Sequence, residues 1–266
     1  MNRIAERFAR LRAEGRKGFI VYIGAGDPDL ETTRRLAVAF EAAGVDVLEL
    51  GVPFSDPLAD GLVNQLAAQR GLASGTTPPK VLALVSAIRQ ASQLPIVLYL
   101  YYNLVHHYGP DRFIQEAATA GVDGLLVLDL PPEEADDYAT RMRQADLAAI
   151  FLVAPTTPEH RLELILRRAT GFVYYVSREG VTGMQDKLAE SIGLMTARIR
   201  QHTGLPIAVG FGISNAEQAR QAARHADAIV VGSAVVNQIA RLGRAADPVP
   251  QATSFVASLA QALKRA

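Results

Sequence analysis

Short apolar runs punctuate the chain at residues 19–23, 45–50, 95–101, 124–128, 148–153, 172–176, 206–209 and 228–231. They are rich in Val, Ile, Leu and Tyr and lack the strict alternation of a half-exposed strand, which predicts strands buried on both faces. Between them lie amphipathic stretches at 32–43, 80–90, 112–120, 133–143, 158–168, 189–201 and 216–223. Their apolar residues return with the spacing of one helical face. Strand alternating with helix predicts βαβ units and a parallel sheet. Eight such units in 266 residues favour a closed TIM (β/α)8 barrel over an open doubly wound sheet, since that barrel takes about 250 residues. Ahead of the first strand, Ile4, Phe8 and Leu11 are interleaved with Arg, and Glu6 and Glu14 accompany them. This segment reads as a short amphipathic helix rather than a secretory or transit leader. No linker or composition shift divides the chain, so residues 1–266 are expected to form one barrel domain.

Composition narrows the chemistry. Hydrophobic residues are 49% and charged residues 20% of the chain, the balance of a globular protein with a sizeable core. The 27 basic and 27 acidic residues cancel, so no broad basic field is available for nucleic acid. A small anionic substrate stays open, because backbone amides bind anions without net positive charge. The sequence has no Cys, which excludes disulfides and thiolate-ligated zinc. No apolar run approaches the roughly 20 residues that span a bilayer; a cytoplasmic protein without membrane contact is expected. Lys17, Lys80, Lys187 and Lys264 all lie away from the carboxyl ends of the predicted strands, which disfavours a Schiff-base mechanism. Only His106 and His107 fall on the face where loops follow strands, and adjacent residues rarely ligate one metal together; no metal is expected. No Gly-x-Gly-x-x-Gly follows the first strand, so a nicotinamide cofactor is not indicated.

The loops after the strands carry the unusual residues. Glu49 stands between Leu48 and Leu50 near the end of an apolar run. Pointing into the barrel mouth, it would be desolvated, its pKa raised, and its proton made transferable near neutrality. Asp60 follows in a loop stiffened by Pro53 and Pro57, and two carboxylates in different environments can divide acid and base roles. Equally open is a bland reading in which Glu49 pairs with a base and Asp60 caps the next helix. Gly210-Phe211-Gly212-Ile213-Ser214 follows the seventh strand, and Gly232-Ser233 follows the eighth and opens a helix. Loops in these two positions form the usual phosphate site of such barrels. The segment Ser177-Arg178-Glu179-Gly180-Val181-Thr182-Gly183-Met184 reads either as a lid that excludes water or as a solvated connection.

The segment Leu48-Glu49-Leu50-Gly51-Val52-Pro53-Phe54-Ser55-Asp56-Pro57-Leu58-Ala59-Asp60-Gly61 resembles the signature of tryptophan synthase α subunits almost residue for residue. Gly26-Asp27-Pro28, Tyr101 with Asn103-Leu104-Val105, Ser177-Arg178 with Gly180-Val181-Thr182-Gly183, the glycine loop at 210–214 and Gly232-Ser233-Ala234 match further motifs in order. The resemblance implies retro-aldol cleavage of indole-3-glycerol phosphate. It implies Glu49 as general acid/base and Asp60 as the hydrogen-bond acceptor of the indole N–H, with Thr182 positioning Asp60. It places phosphate on the amides of Gly183, Gly212, Gly232 and Ser233, and makes Tyr22, Tyr101, Tyr174 and Phe211 walls of an indole pocket. It gives this chain no cofactor and a β-subunit partner carrying pyridoxal phosphate in an α2β2 heterotetramer, met through the loop of Pro53 and Asp56. Alternatives are a stand-alone lyase, a non-catalytic activator of a β subunit, or another phosphate-binding barrel such as a sugar-phosphate epimerase. The chain departs from the family at Val21, Gly24, Leu62 and Asn64, where Pro, Thr, Pro and Ile are usual. Tyr22 stands where Phe is frequent, and Tyr99 and Tyr102 add phenols at the end of the third strand. The change at Gly24 is expected to remove a support for Asp60.

Overall fold

The computed structural model describes residues 2–177, 185–210, 212–242 and 246–264, the side chains of 185–190 excepted. Eight parallel strands close into a barrel in chain order: β1 (Gly18–Gly24), β2 (Val47–Gly51), β3 (Ile96–Leu100), β4 (Gly124–Val127), β5 (Ala148–Val153), β6 (Val173–Val176), β7 (Ile207–Gly210) and β8 (Ala228–Val231), with β8 returning to β1. Successive side chains along a strand point to opposite faces. Phe19, Val21, Ile23, Leu48, Leu50, Ile96 and Leu98 accordingly pack outward in the larger core, while Ile20, Val47, Val97, Leu126, Phe172, Ala208 and Val230 fill the barrel. Both faces are buried, which is why the strands read as continuous apolar runs. The amino-terminal helix α1 (Arg3–Ala13) plugs one end: Ile4, Phe8 and Leu11 join the interior cluster, and the Phe8 and Phe172 rings lie 5.7 Å apart. With that end stoppered, the opposite mouth is left for polar side chains.

The other helices are α2 (Leu30–Ala43), α3 (Leu62–Ala73), α4 (Pro78–Arg89), α5 (Tyr102–Tyr108), α6 (Pro110–Ala120), α7 (Asp136–Gln144), α8 (Glu159–Arg168), α9 (Gln185–Arg200), α10 (Ala216–Ala223), α11 (Ser233–Leu242) and α12 (Val249–Leu263). Two expectations change. The segment after the third strand that carries His106 and His107, where a loop is expected, is helix α5. The stretch expected as one helix over 133–143 is a 3-10 turn (Pro132–Glu134) and then α7, the two separated at Ala135. No helix among the described residues is long and apolar enough to cross a membrane.

The rim at the plugged end is riveted pairwise by side chains that precede the even strands. Asp46 accepts the N–H of Phe19 at 3.0 Å, Asp123 that of Ile96 at 2.8 Å, Thr170 that of Ala149 at 2.8 Å and Asp227 that of Ile207 at 2.9 Å. Each bond satisfies a backbone donor near the start of the neighbouring odd strand, where the ladder has not yet closed. Asp123 also binds Arg3 at 2.9 Å and the half-buried Arg89 at 2.7 Å. Asp123→Ala takes the counter-charge from Arg89, which keeps its bonds to the Gly121 and Leu94 carbonyls, and leaves the Ile96 N–H without its acceptor, a loss of about 3–5 kcal/mol. The expected fall in Tm is roughly 10 °C, read by thermal unfolding; a fall under about 2 °C would show the rivet to be dispensable.

Candidate active site

Glu49 lies on β2 opposite Tyr22 of β1 and Val97 of β3. That register turns it into the barrel, where it is 1% exposed, and its Oε1 is buried with no hydrogen-bond partner. Among the described residues it neither caps a helix nor pairs with a base. Burial alone raises its carboxyl from the ordinary 4.5 to about 8, because no positive neighbour offsets the lost hydration of the charged form. Leu48 and Leu50, which flank it, are wholly buried on the outer face. The strand therefore cannot slip by one residue without exchanging two leucines for a carboxylate.

Asp60 sits at the end of the loop that follows β2. Val52 N–H donates to the Tyr99 carbonyl at 2.9 Å, which ties the loop's start to β3. The loop's far end runs straight into α3, whose Arg70 makes a two-pronged pair with buried Asp27 at 2.6 and 2.7 Å. Between these anchors the Asp60 carboxylate turns inward. Tyr99 donates to Oδ1 at 2.8 Å and Tyr101 to Oδ2 at 2.9 Å. Tyr101 Oη in turn accepts the Ala59 N–H at 2.9 Å. The helix after Asp60 is capped by Gly61 without a side-chain bond, so the reading of Asp60 as a cap does not hold. Burial first, and the field of Asp60 second, raise the phenols of Tyr22 and Tyr99 well above the ordinary value. Both stay protonated, which keeps Tyr99 a donor to Asp60.

Among the described residues, two cavities open at this mouth. One of about 670 Å³ is lined by Tyr99, Leu128, Asp129, Leu152, Tyr174 and Arg161, among others. The other, about 10 Å³, lies under Asp60 between Tyr22, Gly24, Gly51, Tyr99 and Tyr101. Of the aromatics expected as indole walls, Tyr174 lines the large cavity. Tyr22 and Tyr101 line the small one instead, because their hydroxyl ends belong to the surroundings of Asp60. A Cβ at Gly51 would collide with the Tyr22 hydroxyl, and one at Gly210 would lie 2.6 Å from the Tyr174 hydroxyl; glycine at these two strand ends makes room for the phenols. Tyr99 lines both cavities and was assigned no role from sequence. The signal was available: Val97 faces inward, so Tyr99, two residues on, faces inward at the mouth.

On the far side of the mouth, Gly232 follows β8 and Ser233 opens α11. The first amides of that helix have no intrahelical acceptor and point outward. Gly212, after β7, has φ +68°, a conformation glycine adopts without strain. Thr182, Gly183 and Phe211, and the segment 178–184 expected as a lid, lie outside the described residues. His106 and His107 are exposed on α5, and no group of three or more His, Cys, Asp or Glu is gathered for a metal among the described residues. Asp56 is exposed as a partner-facing residue should be. Pro53 is not: it is buried, with Gly71 of α3 beneath it, so it shapes the loop from below rather than presenting a surface.

Residues 8–265 match the family described as Tryptophan synthase alpha chain. The chain is 56% identical over 239 residues to the tryptophan synthase alpha chain of Opitutus terrae, covering 90% of each. It is 47% identical to that of Citrifermentans bemidjiense, covering 98% of this chain and 97% of the relative. Among solved structures, tryptophan synthase subunit alpha from Legionella pneumophila superposes with a TM-score of 0.92 at 37% identity, covering 100% of both chains.

Proposed function

This chain belongs to the tryptophan synthase alpha chain family, and from that premise we propose that buried Glu49 and phenol-held Asp60 carry its chemistry. The reaction is the carbon–carbon lyase step of tryptophan biosynthesis, retro-aldol cleavage of indole-3-glycerol phosphate to indole and glyceraldehyde 3-phosphate. The observation that carries the residue assignment is a carboxyl turned into the barrel on β2, its Oε1 buried without a partner and its pKa pushed by burial up to about 8.

In the proposed sequence the neutral Glu49 carboxyl gives its proton to C3 of the indole ring. The ring becomes cationic, and the Asp60 carboxylate accepts the N–H bond and stabilises that charge. The Glu49 carboxylate then takes the proton of the glyceryl hydroxyl beside the breaking bond. The C–C electrons return to the ring, releasing indole and the aldehyde, and Glu49 ends protonated as it began. A fixed carboxylate aimed where positive charge develops is worth more in a water-poor site than in bulk solvent. The phosphate rests on the amides of Gly212, Gly232 and Ser233, with Gly183 contributed from the segment after β6. Tyr174 borders the indole ring.

Family membership implies partnership with a β subunit in general. We assign the contact face to the loop around Asp56. Leu58, Leu62 and Leu66 stand 92%, 69% and 42% exposed in and just after that loop, an apolar ridge of the kind that a partner covers. The α2β2 assembly, with pyridoxal phosphate held by the β subunit and no cofactor in this chain, completes the proposal. A chain without cysteine suits a reducing compartment, the cytoplasm, and the family match over 8–265 supports one barrel domain.

The test is indole release by the purified chain from indole-3-glycerol phosphate across pH 6–10, with and without a β subunit. The cycle starts from protonated Glu49, so kcat/KM falls as pH rises through about 8. No indole at any pH, with or without the partner, would sink the lyase assignment of these residues. Release unaffected by the partner would favour a lyase acting alone.

A further inference from the structure

The Asp60 carboxylate receives a phenolic O–H on each of its oxygens. One hydrogen bond leaves a carboxylate free to turn about its Cβ–Cγ bond; two, on different oxygens and from different residues, fix its plane. We infer that Tyr99 is a positioning residue for the lyase reaction, its hydroxyl aiming the Asp60 carboxylate at the indole N–H. This inference rests on the function proposed above.

The geometry makes Tyr99 suited to that task. It stands at the carboxyl end of β3 opposite Gly51 of β2, so no side chain from β2 at that level displaces it. Its ring meets Tyr22 edge-on, centroids 4.9 Å apart at 65°, which holds the hydroxyl's direction independently of substrate. It borders the large cavity and the small one alike, so Asp60 is gripped from the side on which the ring of the substrate enters. An ionised carboxylate accepts about four hydrogen bonds, so two phenols leave lone pairs for the indole N–H. Among the described residues, the groups that face Asp60 are Tyr22 from β1, Tyr99 from β3, Tyr101 just beyond it, and Asn64 and Gln65 from α3. Glu49 of β2 acts on the same Tyr22 phenol. Of these, Asn64 stands at 3.5 Å, and Gln65 donates to the Asp60 carbonyl rather than its carboxylate. The phenols are therefore the close donors to the carboxylate.

The experiment compares wild type, Tyr99→Phe and Tyr101→Phe in steady-state cleavage of indole-3-glycerol phosphate from pH 5 to 9. Phe keeps the ring that packs on Tyr22 and removes only the donor, so folding is retained. For Tyr99→Phe, kcat falls about tenfold, the scale of one hydrogen bond to a charged group, and KM stays within about twofold. Tyr101→Phe lowers kcat in the same way, with KM again little changed. A kcat within about twofold of wild type for Tyr99→Phe would overturn the inference, as would a loss carried by KM rather than kcat. Wild-type cleavage in the same assay separates this failure from failure of the lyase reading: without it, the reading itself has failed.

Discussion

Glu49→Gln lowers kcat by about 10²–10⁴-fold, the usual contribution of a positioned acid/base, while KM changes by no more than about threefold. Gln fills the same space and keeps a polar end, so the pocket for substrate survives; only the transferable proton is lost. The same substitution raises stability at alkaline pH, and the sign follows from burial. Glu49 titrates near 4.5 when exposed and about 8 in the folded chain. Between those values the folded state holds a proton that the unfolded state releases, so stability falls as pH rises through the window and the loss is complete above about 8. Gln does not titrate. Wild type and variant therefore melt together near pH 5. Above pH 8 the variant is more stable by at least about 1 kcal/mol, roughly 2–4 °C in Tm. Lost turnover with gained stability marks a residue kept for chemistry. A variant that melts lower at pH 9 would instead make Glu49 a structural residue.

Asp60→Asn is the second large effect. It keeps the shape of the side chain and one acceptor for a phenol, yet removes the negative charge opposite the cationic ring. Loss of one preorganised electrostatic group of this kind lowers kcat by about 10²–10³-fold. KM rises less, because the neutral ground-state indole still finds an amide oxygen for its N–H. Steady-state kinetics read both numbers. A fall in kcat below about tenfold would show that ring charge is stabilised elsewhere.

The strands were legible because burial on both faces writes each as an unbroken apolar run; β5 and β8 have the boundaries expected, and the others move by one or two residues at an end. Helix α3 was not, since only Ala67 and Gly71 of it are buried while Leu62, Leu66 and Leu72 face outward. A helix that lies on the surface with leucines exposed carries no amphipathic stripe to read. Glu49 was legible as a carboxylate between two leucines near the carboxyl end of an apolar run. Tyr99 was not, because its bond to Asp60 spans 39 positions in sequence and exists only once β2 and β3 are in register. The same bond answers the expectation about Gly24: the Asp60 carboxylate is held here by the phenols of Tyr99 and Tyr101, whatever a hydroxyl at position 24 would have added. The rim rivets stood in plain view as Val45-Asp46-Val47, Val122-Asp123-Gly124 and Ala226-Asp227-Ala228. Their acceptor role depends on a backbone N–H in the adjacent strand, which no single segment reveals.

The most direct test of a buried, proton-bearing Glu49 is infrared difference spectroscopy of wild type minus Glu49→Gln, followed in the carboxylic-acid C=O region from pH 5 to 10. The account predicts a protonated-carboxyl band that persists through neutrality and disappears with a midpoint near pH 8. A band already gone by pH 6 would mean that Glu49 is ionised in the resting enzyme and has no proton to deliver to the ring.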